Sequence, residues 1–183
     1  MRTRIILWTI LLAGCTPTSN KPGLFDHLAD KKTVVIYLNR YKVEGVPADI
    51  GALTNANSLF IGKDSVAGWT LYPPLSAMNQ RNHVPPFRKL PDEITRLVNL
   101  RNLALVDLDL TELPENFGNL QNMDTLNLML NKLTISKELE KLKQLKNLKY
   151  LMLVGNQVDS TDVYELKKVN PTLVLDIGPW SEP

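Results

Sequence analysis

The feature that most constrains this chain is a repeat. The pattern Leu-x-x-Leu-x-Leu occurs at Leu100, Leu103 and Leu105, again at Met123, Leu126 and Leu128, and again at Leu148, Leu151 and Leu153, with steps of 23 and 25 residues between copies. Upstream, Ile36 and Leu38 read as the same strand pair, and Leu59 and Ile61 repeat it 23 residues later. A further leucine, at Leu53, Leu97, Leu120 and Leu145, stands six residues before the first core position of four of these strands. A period of this length marks a solenoid, because one copy cannot bury its own leucines and only stacking closes the core. Within each copy the alternation has period two, so Leu103 and Leu105 point inward while Ala104 and Val106 point outward.

A second motif follows the strand. Val46-Pro-Ala-Asp-Ile50-Gly-Ala-Leu53 begins ten residues beyond Ile36, and Leu113-Pro-Glu-Asn-Phe117-Gly-Asn-Leu120 begins ten residues beyond Leu103. The third copy, Leu90-Pro-Asp-Glu-Ile94-Thr-Arg-Leu97, begins 31 residues beyond Leu59, so its repeat carries about 21 extra residues. Over residues 33–177 the chain resembles the leucine-rich-repeat family. The resemblance implies an α/β solenoid with a concave parallel sheet of five to six short strands and irregular or short helical segments on the convex side. It also implies a structural asparagine in the turn after each strand. Asn131 and Asn156 match that position and Asp64 is a substitute, whereas Tyr41 and Leu108 stand at the matching places of their repeats and put the turn geometry there in doubt.

In the fourth repeat the proline motif gives way to a stretch with leucines at 139, 142 and 145, which suits one face of a helix over 136–145. Glutamates near its start and lysines near its end complement the helix dipole. A similar helix over 161–169 leads to a last strand near Leu173 and Leu175. Leu24, Phe25, Leu28 and Ala29 mark residues 24–32 as an amphipathic cap over the first repeat's open end. The extra residues, about 66–88, contain Trp69, Tyr72, two Pro-Pro pairs and Asn79-Gln-Arg-Asn82. They read either as a functional insertion or as a degenerate extra repeat packed on the stack, since the 44 residues from Leu59 to Leu103 are close to two periods.

Outward side chains of neighbouring strands stand side by side, so reading them across repeats previews the concave surface. The first repeat offers Val35, Tyr37 and Asn39, the second Ser58, Phe60 and Gly62, and the third Asn102, Ala104 and Val106. The fourth offers Thr125, Asn127 and Met129, and the fifth Tyr150, Met152 and Val154. A surface this rich in aromatic residues and methionine suits a protein or peptide partner, with Tyr37, Asn39, Phe60, Val106, Asn127, Met129, Tyr150 and Met152 as the expected contacts. The alternative is that the N-terminal strands are covered by the insertion or by a neighbouring protomer.

The N-terminus carries a different signal. Met1-Arg-Thr-Arg4 is a positive n-region, Ile5 to Ala13 an apolar stretch, and small residues follow, the layout of a secretory signal peptide over residues 1–14. The apolar stretch is too short for a bilayer span of about 20 residues. Leu12-Ala13-Gly14-Cys15 resembles the lipobox of bacterial lipoproteins, which implies cleavage before Cys15 and a diacylglycerol on its sulfur. Residues 15–23, with Pro17 and Pro22 among polar neighbours, read as a tether, and residues 178–183 as a tail. Thr16 after the cysteine, where an aspartate often marks inner-membrane retention in Gram-negative lipoproteins, favours the outer membrane by the same resemblance.

Composition narrows the partner classes. Removing residues 1–14 deletes Arg2 and Arg4 from the 21 basic residues and leaves 19 against 19 acidic ones, so nucleic acid is not an expected partner. The five lysines between Lys137 and Lys149 are interleaved with Glu138 and Glu140 and read as a solvated helix face. Cys15 is the only cysteine, which excludes an intramolecular disulfide and leaves no thiol nucleophile in a lipidated form. His27 and His83 have no partners at metal-ligand spacing, and neither a zinc-protease helix nor a phosphate loop is present. The expectation is therefore a non-enzymatic, membrane-anchored binding module without a cofactor. A self-associating envelope protein and an envelope hydrolase are the alternatives.

Overall fold

A computed structural model describes residues 22–63 and 87–178. The export signal, Cys15, Asp64 and nearly all of the inserted stretch, including Trp69, Tyr72 and His83, lie outside the described residues. Six strands, β1 (Thr33–Tyr37), β2 (Ser58–Gly62), β3 (Asn102–Val106), β4 (Thr125–Asn127), β5 (Tyr150–Met152) and β6 (Val174–Asp176), form one sheet in sequence order. Every pair is parallel. Inward positions are closed off from water, with Leu59, Leu103 and Leu126 each at most 1% exposed. Each such leucine contributes roughly 1.5–3 kcal/mol of burial.

The convex return explains why the proline motif places an apolar residue at every third position. Pro47, Pro91 and Pro114 hold φ at −69°, −69° and −53° and open the 3-10 segments Ala48–Ala52, Asp92–Arg96 and Glu115–Asn119. The amides of Ile50, Ile94 and Phe117 donate to those proline carbonyls, and Leu53, Leu97 and Leu120 donate in turn to the carbonyls of Ile50, Ile94 and Phe117. With three residues per turn, these apolar side chains line up on one side and enter the core. Gly51 and Gly118 let neighbouring rungs approach, since a Cβ on Gly51 would stand 2.8 Å from that of Glu93 and one on Gly118 would strike Gln144.

The two expected helices form as α1 (Ile135–Lys143) and α2 (Ser160–Val169). A capping box starts α2, with the Asp162 amide donating to Asp159 at 2.9 Å and the Asp159 amide to Asp162 at 3.1 Å. In α1 the buried Glu138 accepts from the Leu113 amide, and Lys141 bridges Glu138 and the Leu113 carbonyl. This clasp ties the helix to the preceding repeat.

One expectation is corrected. The first strand's inward pair is Val34 and Ile36, which align with Leu59 and Ile61, not Ile36 and Leu38. Leu38 instead begins a 3-10 turn, Leu38–Tyr41, which absorbs the two additional residues of this repeat. The last strand faces its core with Leu175, aligned with Leu151, and Leu173 precedes it. β2 and β3 are direct neighbours in the sheet, and the choice between an insertion and a degenerate repeat falls on residues outside those described. At the N-terminal end the segment before β1 contains a short 3-10 turn, Asp26–Leu28, and Phe25 is fully buried against Tyr41.

Candidate functional site

The sheet's outward face is arranged in three rows. Thr33, Ser58, Asn102, Thr125 and Tyr150 form the row nearest the strand starts. Val35, Phe60, Ala104, Asn127 and Met152 form the middle row, which ends on Asp176 of β6. Tyr37, Gly62 and Val106 begin the third. Met129 and Val154 continue it, because the Met129 carbonyl accepts from the Asp107 amide and the Val154 carbonyl from the Leu130 amide. Val35 is 53% exposed and Tyr150 49%, while Phe60, Ala104, Val106, Asn127, Met129 and Met152 are half-buried.

At the N-terminal end of this face Tyr37 and Phe60 meet edge to face at 5.6 Å, and the Arg40 guanidinium lies 5.0 Å from the Tyr37 ring centre. The Phe60 ring leans along its own strand over Gly62, where a Cβ would come within 2.8 Å of it. The structure thus brings seven of the eight expected contacts onto one face: Tyr37, Phe60, Val106, Asn127, Met129, Tyr150 and Met152.

Asn39 does not join them. With Ile36 aligned to Ile61, Asn39 falls three residues beyond the second inward position, the place that Asn131 and Asn156 occupy in their own repeats. Its amide donates to the Lys63 carbonyl of the next rung at 3.1 Å. Tyr41, expected at that place, packs instead on Phe25 at 5.2 Å.

Asn131 shows what the position does. Its Oδ1 accepts from the amides of Leu108 and Leu110, and its Nδ2 donates to the carbonyls of Leu105 and Leu128, with the side chain 4% exposed. Asn156 repeats the pattern one rung on, accepting from the Leu133 amide and donating to the Leu128 and Leu153 carbonyls. These asparagines finish the ends of the strands and join successive turns.

A second asparagine ladder went unread in the sequence. Asn55, Asn99, Asn122 and Asn147 each donate Nδ2 to a carbonyl one repeat back, those of Ala29, Thr54, Val98 and Gln121. The signal was present: each stands two residues after the leucines at 53, 97, 120 and 145.

Charge gathers on the rims. At the strand starts Asp124 is paired with Arg101 at 3.3 Å and Lys149 at 2.8 Å. The Lys149 hydrogen bond is the largest influence on Asp124, and with Arg101 it holds the carboxyl below the usual aspartate range against a partial desolvation. At the strand ends Asp109 bridges Lys63 and Lys132. Burial pushes Asp109 upward, but the hydrogen bonds and charges of the two lysines outweigh it and leave the pKa lowered. Among the described residues no group of three or more His, Cys, Asp or Glu side chains could hold a metal ion.

The six-stranded parallel sheet, its short convex segments and the asparagine turns define a leucine-rich-repeat solenoid. One solved structure agrees on that fold, and two further matches are weaker. Internalin C2 of Listeria monocytogenes superposes with a TM-score of 0.54 at 16% identity, covering 84% of this chain and 54% of its own. A leucine-rich-repeat protein of Leptospira interrogans gives 0.46 at 24% identity, over 74% of this chain and 34% of its own. A plant peptide hormone receptor, RGFR1 in complex with RGF2, gives 0.49 at 22% identity over 86% and 22%. This chain therefore spans about a fifth to a half of the structures it matches. No protein-family model matches the sequence, and no curated protein matches it.

Proposed function

We propose that this protein is a lipid-anchored component of a bacterial cell envelope whose concave sheet face holds another protein or a peptide, without catalysis. The observation that carries the binding half is the set of half-buried and exposed apolar side chains on β1, β2, β3 and β5, from Val35 and Phe60 to Met152 and Tyr150, with Met129 just beyond β4. Contiguous apolar surface on a folded domain marks contact sites, and aromatic residues and methionine are the types enriched there. The anchoring half rests on the export layout and Leu12-Ala13-Gly14-Cys15. Acyl chains on Cys15 suffice to hold a protein of this size, since each buried methylene contributes about 0.8 kcal/mol and two chains give stable attachment. Thr16, where an aspartate would favour inner-membrane retention, supports the outer membrane if the cell is Gram-negative.

Two experiments test this reading. Native protein and a Cys15→Ser form are compared by mass and by detergent partitioning, and equal behaviour refutes lipidation. Capture of partners from native envelopes is compared between the wild type and a Phe60→Glu, Met152→Glu double variant, and identical captures refute the concave site. A second reading, self-association, is favoured by Val169 and Val174, 48% and 52% exposed in the last repeat. Sedimentation that is independent of concentration removes it.

A further inference from the structure

The concave face differs from the rest of the molecule in charge as well as in polarity. None of the outward side chains on the first five strands is charged, although 22% of the chain is Asp, Glu, Lys or Arg. A charged group buried against such a floor would lose hydration and find no counter-charge, at a cost of several kcal/mol. The floor also has a shape: the Phe60 ring covers Gly62, and the small Ala104 beside it leaves a low point between that ring and Asn127, Met129 and Met152.

The charge of this region lies on the rims. The residue just before each of the first five strands is Lys32, Asn57, Arg101, Asp124 and Lys149 in turn. Lys32 is exposed, Arg101 and Lys149 have side chains 67% and 66% exposed, and the one acid, Asp124, is only 25% exposed between them. This rim therefore presents a positive edge. At the opposite rim Lys63 and Lys132 share Asp109, Arg40 lies against the Tyr37 ring, and Asp107, Leu130 and Gly155 follow the third, fourth and fifth strands.

From this charge complementarity we infer that the occupant of the concave face is a polypeptide segment with an uncharged apolar centre, whose aromatic or aliphatic side chain seats over Ala104 beside the Phe60 ring, and with acidic residues directed toward the Lys32–Arg101–Lys149 rim. The inference rests on the concave-face reading above and adds the chemistry of the partner. Desolvated apolar contacts supply the affinity, and the basic rim accelerates encounter and fixes which way round the segment lies.

The probe is a display library of random dodecapeptides, selected on the full chain immobilised through its N-terminus. Enriched peptides should combine aromatic or aliphatic residues with Asp or Glu on one side and be poor in Lys and Arg. Ala104→Trp, which fills the low region from the solvent side, should weaken the selected peptides at least tenfold. Arg101→Glu with Lys149→Glu should weaken them about fivefold or more in 50 mM salt and much less in 500 mM. Lys32→Glu gives an independent check, and unchanged thermal melts show that the variants remain folded. Enrichment of basic peptides, or indifference to both rim reversals at low salt, overturns the partner chemistry while leaving the concave site intact. Selected peptides that bind a Phe60→Glu form as well as the wild type overturn the site itself. Selection of nothing above the bare support counts against both.

Discussion

Replacing Asn131 by leucine tests the physical account of the turns most directly, because the third repeat already carries a leucine, Leu108, at the matching place. The substitution keeps the volume and removes every hydrogen bond. The amides of Leu108 and Leu110 lose their acceptor, and the Leu105 carbonyl loses a side-chain donor. The Leu128 carbonyl retains Asn156. Two to three buried backbone groups left unsatisfied, at 1–3 kcal/mol each, less the gain from an added apolar side chain, give a loss of about 3 kcal/mol. Asn156→Leu strands fewer groups at a partly exposed site, where water can replace the side chain, and should cost about 1 kcal/mol. With an m-value of about 2 kcal/mol/M, urea melts followed by circular dichroism should move by about 1.5 M and about 0.5 M respectively. Asn131→Asp separates geometry from charge. It keeps an acceptor for both amides but faces the Leu105 and Leu128 carbonyls with an anion, so its deficit should shrink between pH 7 and pH 5 as the carboxyl gains a donor proton. Equal costs for Asn131→Leu and Asn156→Leu, or a cost below about 1 kcal/mol at Asn131, would refute the claim that this side chain satisfies buried backbone.

Four further outcomes follow from the same geometry. Glu138→Ala leaves Lys141 and the Leu113 amide without their buried partner and should destabilise by about 3 kcal/mol in a urea melt, more than Glu140→Ala on the exposed side of the same helix. Asp109 has a folded pKa below its unfolded one, so its contribution is present above the ordinary aspartate range of about 4 and is lost as pH falls through the folded value. Asp109→Asn should therefore flatten the acid limb of stability below about pH 4, as read by thermal melts between pH 2 and pH 7. Gly155 has φ of +84° and a Cβ there would stand 3.1 Å from the Leu130 backbone, so Gly155→Ala should cost about 1–2 kcal/mol. Tyr150→Ala, at an exposed position, should change the melt by less than about 0.5 kcal/mol, whereas Phe60→Ala, which breaks the ring pair with Tyr37, should cost about 1 kcal/mol.

The solenoid was legible because its cause is local in sequence: leucines recurring at 23 and 25 residues leave stacking as the way to bury them. Helix α1 was legible for the same reason, its leucines changing from the spacing of the proline motif to that of an α-helix. Register was not legible wherever several apolar residues alternate. In Val34-Val35-Ile36-Tyr37-Leu38 both Val34 with Ile36 and Ile36 with Leu38 satisfy period two, and a slip of two residues keeps the same face inward. What decides between them is not the strand but its surroundings, since Phe25 and the turn at Leu38–Tyr41 pack only when Val34 aligns with Leu59. That slip moved Asn39 from the binding face to the turn, and it would have displaced the first row of any contact map drawn from sequence.

The same distinction separates what stabilises this molecule from what it presents. The inward leucines and the two asparagine ladders are held by contacts that recur rung by rung, so a change at one rung is felt by its neighbours through shared carbonyls such as that of Leu128, which accepts from both Asn131 and Asn156. The outward rows have fewer such partners, chiefly the Tyr37–Phe60 pair, Arg40 against Tyr37 and the Asn127 side chain that accepts from the Met129 amide of its own rung. Their residues are free to differ from rung to rung, from Ser58 and Gly62 to Tyr150 and Met152, without altering the stack. An uncharged floor beside a basic rim is therefore not required by folding. Substituting charge into the floor at Ala104 should leave the urea midpoint within about 0.3 M of the wild type, and a loss of 1 M or more would mean that this side chain belongs to the fold and not to a binding face.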